Sequence, residues 1–326
     1  MKPPAVSILL VCACLLPAAS LRAQITNSDP PASRRPSEQV IVSTEGLAAI
    51  RALTEEVRQA TDAKSPDKAA DALNRMGVVY FQSRDAESAL TAFRHSLDLY
   101  RQVSDSAAEG RLLTRIGACH EALGQHQKAL DNLFLAINVQ RRAGDQQAEA
   151  ASLAEIGTIY RLWGYPEEAL HHLQEALALC PASQECPARA KILNAAGLAY
   201  FDLRDYKKAL TYFRPEIELY RASDDELDLV KVLNNTGAAY NQMGHFSDAL
   251  PWLMEANSLA RRMDDDMLIA GSLSNIGFSY ACLRQKDQAS ESYREAMAAF
   301  RKLGIKEREA DMRKRLELLD AGTCHE

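Results

Sequence analysis

Histidine, cysteine and glutamate side chains, the types that bind metal ions, lie close together at two places in the sequence. One group comprises His171, His172 and Glu175. The other comprises Cys119, His120 and His126. In the helical pattern described below, however, His171 and His172 fall on the exposed part of a helix, and His120 takes a position held elsewhere by tyrosine. We therefore predict no metal site and no cofactor.

Sequence motifs of catalysis are also missing. The chain contains no GxSxG nucleophile elbow, no HExxH zinc motif, no phosphate-binding loop with its lysine and no dinucleotide fingerprint. The formal net charge is -6, and no basic stripe with interleaved aromatic residues is present. The sequence therefore predicts a protein that is not an enzyme and does not bind nucleic acid.

A 40-residue repeat organises most of the chain. Six glycines recur at this spacing: Gly77, Gly117, Gly157, Gly197, Gly237 and Gly277. Leucine lies four residues before each glycine, tyrosine or histidine three after, alanine twelve after and a large apolar residue sixteen after. Long periods of this kind are typical of proteins whose stacked units share one continuous core.

Each repeat is predicted to form two helices. The leucine, glycine and tyrosine positions fall on one stripe of the first helix. Gly124, Gly164 and Gly244 are placed to end that helix, and the alanine and large apolar positions belong to the second. Because small residues let two helix backbones approach closely, we predict that the six repeat glycines are structural.

This frame resembles the tetratricopeptide repeat over about residues 66–302, and it is similar to the longer variant of kinesin light chains and of many bacterial regulators and secreted proteins. It departs from the short repeat in having leucine for the early tryptophan and a polar loop for the closing proline. The resemblance implies an all-α fold, a right-handed α-α superhelix (solenoid) of about six helix-turn-helix repeats with an extra N-terminal helix and a C-terminal capping helix.

The predicted organisation has five parts. They are a signal peptide at 1–23, a flexible linker at 24–43, an N-terminal half-repeat helix at 44–65, six repeats at 66–305, and a capping helix with a tail at 306–326. The linker is rich in proline and serine. The highly charged residues 306–320 would give the last repeat a solvated outer side, so we expect a complete solenoid.

The N-terminal segment is typical of an export signal. Lys2 precedes a short apolar run from Ala5 to Ala19, and small residues permit cleavage after Ala23 or Ser20. We predict a periplasmic or secreted protein with no membrane span after cleavage, because the run is shorter than the roughly 20 residues that a span needs. An uncleaved anchor or lipidation at the VCAC stretch is the alternative.

The remaining cysteines fit that compartment. In an oxidising environment Cys180 and Cys186 could form a disulfide in the loop between the third and fourth repeats, because a helix-to-helix turn brings its ends together. Two free thiols are the alternative. Cys119 and Cys282 are predicted to pack on helices, and Cys324 to be a thiol in the tail.

The first helices would line the concave groove of such a superhelix. Eight residues are predicted to bind a peptide there: Arg161, Lys191, Asn194, Lys231, Asn234, Asn235, Asn241 and Asn275. Asparagine both donates and accepts hydrogen bonds, so a row of asparagines suits the backbone of an extended chain, while lysine and arginine attract carboxylates. In kinesin-light-chain-like repeats the position of Asn235 and Asn275 contacts peptide. The alternative is a solvated polar face that binds nothing tightly.

The function predicted from these features is a non-enzymatic, exported interaction scaffold that binds a protein or peptide in its concave groove. A different reading is a sensory or regulatory repeat module that binds a small ligand or oligomerises, with a homo-oligomer as one outcome.

Overall fold

A computed structural model describes residues 43–182, 185–223 and 225–320 of the chain. Within these ranges the protein forms fourteen α-helices and no β-strand. The helices are α1 (Thr44–Asp62), α2 (Pro66–Gln82), α3 (Ala86–Gln102), α4 (Ser106–Ala122), α5 (His126–Ala143), α6 (Gln146–Leu162), α7 (Pro166–Leu179), α8 (Arg189–Asp202), α9 (Tyr206–Ser223), α10 (Glu226–Gln242), α11 (Phe246–Arg262), α12 (Asp266–Cys282), α13 (Lys286–Lys302) and α14 (Lys306–Asp320). The predicted all-α fold of tandem helix pairs is confirmed.

The described chain divides into two compact units, and the boundary lies within α8. The N-terminal unit extends from residue 43 to Ala195, and the C-terminal unit from Ala196 to residue 320. In each unit the closest packing joins the two helices of one repeat, such as α4 with α5 and α12 with α13. We call α2, α4, α6, α8, α10 and α12 the first helices, and the helix that follows each of them a second helix.

Aspartates begin most of the first helices. The Asp145 carboxylate accepts a hydrogen bond from the backbone N–H of Ala148 at 3.1 Å, and Asp225 accepts one from Asp228 at 3.2 Å. Asp105 and Asp265 cap their helices in the same way. Each cap satisfies a donor that the first turn leaves unpaired, which contributes about 1 kcal/mol and marks where the helix begins.

The repeat glycines lie where the second helix crosses the first. A Cβ atom added to Gly237 would lie 2.4 Å from Cγ of Leu253, and one added to Gly117 would lie 2.9 Å from Cγ of Leu133. The same contact joins Gly77 to Phe93, Gly157 to Leu173, Gly197 to Phe213 and Gly277 to Tyr293. All six partners are nearly fully buried. The missing side chain of the glycine therefore leaves the space that the large side chain sixteen residues later fills.

The turn between the two helices of a repeat needs a left-handed residue. Gly164 has a φ of 83° there, whereas Arg84, Arg204 and Arg284 adopt a φ of 61° at the equivalent position. Glycine adopts this conformation without strain, and other residues do so at a cost of about 1–2 kcal/mol. The repeats therefore keep the same turn even where the sequence lacks its preferred residue.

Arginines near the ends of the second helices connect successive repeats within each unit. Arg221 lies 3.0 Å from Glu255, 34 residues later. The same spacing joins Arg141 to Glu175 and Arg261 to Glu295. All six side chains are roughly half exposed, so each pair contributes at most about 1 kcal/mol. Their main effect is to favour one register between neighbouring second helices.

The connection after the third repeat differs. Helix α7 has 14 residues, and Pro181 follows it at the position that arginine holds in the neighbouring repeats. A disulfide joins Cys180 to Cys186, whose Cα atoms are 5.6 Å apart. Arg189, at the start of α8, donates a hydrogen bond to the Cys180 carbonyl. A covalent link thus closes the loop where the arginine–glutamate pair is missing.

Several predicted features lie outside the described residues. These are the signal peptide at 1–23, the linker up to residue 42 and the tail with Cys324. At the two ends of the described chain, α1 occupies the region of the half-repeat helix and α14 that of the capping helix. None of the described helices is both long and apolar enough to cross a membrane.

The glycine contact can be tested by Gly237→Ala. Alanine favours the helix by about 1 kcal/mol, but its methyl group overlaps Leu253, and overpacking costs about 1–3 kcal/mol. We expect a net loss of about 1 kcal/mol in the free energy of unfolding, measured in urea. Ser258→Ala, at an exposed position of α11, is the control and should change stability by less than about 0.5 kcal/mol. Stabilisation by Gly237→Ala would contradict the contact.

Candidate functional site

The inner face of each unit is the side of its first helices that points away from the second helices. Helical geometry places three positions near the middle of this face, namely six and two residues before the repeat glycine and five after it. Positions three before and four after the glycine lie on the flank toward the next first helix.

In the C-terminal unit the inner face is a closely packed polar strip between α10 and α12. The Asn275 side-chain amide donates to Oδ1 of Asn234 at 3.0 Å. The Asn241 amide donates to the Asn275 carbonyl at 3.2 Å, and the Ser279 hydroxyl donates to Oδ1 of Asn241 at 2.7 Å. These bonds join one repeat to the next, over 34 to 41 residues of sequence.

The prediction that these asparagines point into an open groove is wrong. Asn234 is 2% exposed, Asn235 5%, Asn241 3% and Asn275 3%. The prediction divided each first helix into a packed side and a solvent side, but a first helix also has the next first helix beside it. Asn275 and Ser279 of α12 reach Asn234 and Asn241 of α10, so these polar side chains fill the interface between the two helices.

Asn234 is incompletely satisfied in this strip. Its Oδ1 accepts the bond from Asn275, but its Nδ2 is buried and has no hydrogen-bond partner among the described residues. A buried donor without a partner costs about 1–3 kcal/mol. The strip therefore connects the repeats at some cost in stability.

The other four predicted residues have different surroundings. Lys191 is exposed and forms an ion pair with Glu155 of the preceding first helix. Lys231 pairs with Asp228 of its own helix at 2.6 Å. Arg161, in the last turn of α6, and Asn194, in α8, are half-buried. Binding of a peptide by any of the eight predicted residues stays a prediction.

The inner face of the N-terminal unit remains accessible. Arg111, six residues before Gly117, is half exposed, and its guanidinium lies 3.4 Å from the Asp145 carboxylate. Leu162, five residues after Gly157, is 46% exposed. Polar and apolar side chains are thus available on this face, whereas the equivalent residues of the C-terminal unit, Lys231, Gln242 and Cys282, are half-buried.

Arg115, like Arg111 and Leu162, is a residue of this face that is not among the eight predicted positions. It lies two residues before Gly117, in the same place as Asn235 and Asn275 in their repeats, and this spacing was the signal available in the sequence. Its guanidinium donates to Oδ1 of Asn74 and lies 5.8 Å from the centre of the Phe93 ring. Burial, and then the charge of Arg111, lower the pKa of Arg115.

Histidines of both candidate metal clusters pack against neighbouring side chains. His172 stacks on Tyr160 with ring centres 5.4 Å apart, and its pKa is lowered by burial and by His171. His120 is buried with Nδ1 2.9 Å from Oε1 of Gln125, and burial lowers its pKa. In the part of the chain that the structure describes, no three histidine, cysteine, aspartate or glutamate side chains are grouped to hold a metal ion.

A double-mutant cycle on Asn234 and Asn275 tests the polar strip. Because one buried amide donates to the other, the changes Asn234→Ala and Asn275→Ala should be non-additive by about 1 kcal/mol in the free energy of unfolding. Asn234→Ala combined with Ser258→Ala, on the exposed side of α11, provides the additive control. Additivity of the two asparagine changes within about 0.3 kcal/mol would show that the bond does not form.

Comparison with known proteins agrees with this architecture. Family profiles described as tetratricopeptide repeat match residues 68–142, 109–182, 188–262 and 269–303. No curated protein matches the sequence.

Solved structures of similar fold share little sequence with this chain. BtubC (BKLC) from P. vanneervenii is 17% identical, with a TM-score of 0.59, and the match covers 68% of this chain and 94% of that one. A Rap protein complexed with Competence and Sporulation Factor is 15% identical, with a TM-score of 0.54 and coverage of 86% and 98%. The APC/C hetero-tetramer Cut9–Hcn1 is 17% identical, with a TM-score of 0.63 and coverage of 83% and 47%.

At these identities the solved structures establish the fold alone. The family profiles, however, cover more than half of the 326 residues and follow the same 40-residue frame as the helix pairs. This chain belongs to the tetratricopeptide repeat family.

Proposed function

We propose that the protein is a non-enzymatic scaffold that binds an extended segment of a partner protein along the inner face of its N-terminal unit. The observation that carries this proposal is the difference between the two inner faces. In the C-terminal unit the four asparagines are at most 5% exposed, and Asn275 bonds to both Asn234 and Asn241. In the N-terminal unit Arg111 and Leu162 are about half exposed, so a partner can reach a charged and an apolar side chain on one face.

The structural relatives support a protein as the occupant. One of them is a Rap protein complexed with Competence and Sporulation Factor, and another is the Cut9–Hcn1 hetero-tetramer. Two proteins of similar fold are thus found in complexes. An extended segment fits the N-terminal face because successive first helices offer it one row of side chains after another.

Site-specific photo-crosslinking tests this proposal. Leu162, on the inner face, is replaced by p-benzoylphenylalanine in the full chain, expressed in the native host and irradiated. Leu135, on the second helix α5 and 53% exposed, is the matched control. We expect a discrete crosslinked protein from position 162 and none from position 135.

The opposite pattern would contradict the proposal, as would crosslinking of equal strength from both positions. If position 162 yields no protein adduct and only a small molecule raises the melting temperature of the chain, the protein is a ligand-binding sensor instead.

We also propose that the chain is exported. The charged start and apolar run at residues 2–19 support this, as does the disulfide between Cys180 and Cys186, since such bonds persist in oxidising compartments. Cell fractionation followed by mass spectrometry should find a mature chain that begins at Gln24 or Leu21, outside the cytoplasm. Cys180 and Cys186 should resist alkylation until their disulfide is reduced. A cytoplasmic chain that retains Met1 or Lys2 would refute export.

A further inference from the structure

Five aromatic rings form a continuous row in the N-terminal unit, along the seam between the second and third repeats. The ring centres of His126 and Trp163 lie 5.8 Å apart, and those of Trp163 and Tyr160 lie 6.2 Å apart. Tyr160 stacks on His172 at 5.4 Å, and His172 contacts Phe134 edge-on at 6.2 Å. We call these five residues the aromatic row; they belong to α5, the end of α6 and α7.

The repeat frame does not account for the outer rings of the aromatic row. At the position of Trp163 the other repeats have serine, leucine or methionine. At the position of Phe134 three of the other five repeats have arginine, and Phe134 itself is 41% exposed. Trp163 and His126 are also partly exposed. Grouped aromatic side chains that remain accessible to solvent mark interaction surfaces.

Acidic side chains flank the aromatic row. The Glu121 carboxylate lies 2.6 Å from Nδ1 of His126. Glu168, exposed in the first turn of α7, precedes His172 by four residues and therefore lies on the same side of that helix. An occupant that suits this surface packs apolar rings against the aromatic side chains and carries positive charge.

Residues 30–36 of the same chain have this composition. Their sequence is PPASRRP, which contains three prolines, two arginines and no acid. Proline-rich segments bind to aromatic surfaces, because the proline ring packs flat on an aromatic face and the chain loses little conformational entropy. The segment therefore matches the aromatic row in both shape and charge.

The place where the described chain begins brings this segment within reach of the row. Helix α1 has the register of a second helix, since its buried Leu53 precedes Phe93 by 40 residues. Helices α1, α3, α5 and α7 therefore begin at one edge of the unit, where His126 starts both α5 and the aromatic row.

The distances agree with this topology. Neighbouring packed helices lie on the order of 10 Å apart, so the start of α5, two second helices away, is about 20 Å from the start of α1. Residues 30–36 lie 7 to 13 positions before Ser43. At about 3.1 Å per residue, an extended proline-rich chain covers roughly 20–40 Å over that length. The segment can thus lie along the row from α5 to α7.

We propose that residues 30–36 bind to the aromatic row of the same chain, with proline rings against Trp163 and Phe134 and the arginines near Glu168. The segment then holds the second and third repeats together across their seam. Because the row involves the second helices and not the inner face, this contact is independent of the proposed function.

Photo-crosslinking within the full chain tests the contact. Ser33, in the middle of the segment, is replaced by p-benzoylphenylalanine, and the irradiated protein is separated by size before digestion and mass spectrometry. We expect the monomeric fraction to contain crosslinks from position 33 to peptides of the aromatic row. Crosslinks found only between two copies would overturn the proposal in favour of a second copy as the occupant. Absence of a crosslink to the row from either fraction would also overturn it.

The matched variants introduce residues that other repeats carry. Phe134→Arg supplies the residue found at Arg94, and the fold accepts arginine there. Trp163→Leu supplies the residue found at Leu123. Together the two changes should lower the yield of the crosslink about tenfold or more, because the segment loses most of the apolar area it would cover. Met254→Arg, at the exposed position equivalent to Phe134 in the fifth repeat, should leave the yield unchanged.

A second measurement leaves every described helix unaltered. Pro30, Pro31 and Pro36 are changed to serine in the full chain, and the side-chain indole N–H resonances are compared by nitrogen-15 NMR. The resonance of Trp163 should shift, because the proline rings no longer pack on it, while that of Trp252 in α11 should stay in place. An unmoved Trp163 resonance would overturn the proposal.

Discussion

The close contact between a glycine in each first helix and a large side chain sixteen residues later is the constraint on which the structure depends. With no Cβ on the glycine, the phenylalanine, leucine or tyrosine of the second helix packs against the backbone of the first. This contact sets the distance between the two helices of a repeat. The buried alanine twelve residues after each glycine lets the second helix come close to the first. Because each repeat has the same internal distance, repeats of 40 residues can stack with similar contacts between them.

Stacking leaves the inner flanks of the first helices as the variable part of the fold. Where those flanks carry asparagine and serine, as on α10 and α12, they bond to each other and close. On α4 and α6 the flank residue Thr114 also bonds to Ser152, but Arg111 and Leu162, in the middle of the inner face, stay about half exposed. The same scaffold thus provides a closed polar interface in one unit and an accessible face in the other. We infer that the function depends on these side chains, since the glycine contact between the two helices is the same in all six repeats.

The third repeat shows how the frame tolerates an exception. Pro181 replaces the arginine that elsewhere pairs with glutamate in the next repeat, and α7 is correspondingly short. The disulfide between Cys180 and Cys186, with the bond from Arg189 to the Cys180 carbonyl, holds the chain there instead. A disulfide stabilises the fold by reducing the number of conformations open to the unfolded chain, whereas an exposed ion pair adds little to the free energy of unfolding. The disulfide closes the loop between α7 and α8, whereas the arginine–glutamate pairs join neighbouring second helices.

The period, the helix pairs and the place of the glycine contact could all be predicted from sequence, because they arise from spacing within one repeat. Gly237 and Leu253 are sixteen residues apart on two helices joined by one short turn, so the local helix-turn-helix geometry brings them together. The neighbours of Asn234 and Arg115 could not be predicted in this way. Asn234 meets Asn275 and Arg115 meets Asn74, each 41 residues away, and these contacts depend on the distance and angle between adjacent first helices. Side-chain periodicity identifies a surface, but only tertiary packing decides whether that surface closes on itself or remains open to a partner.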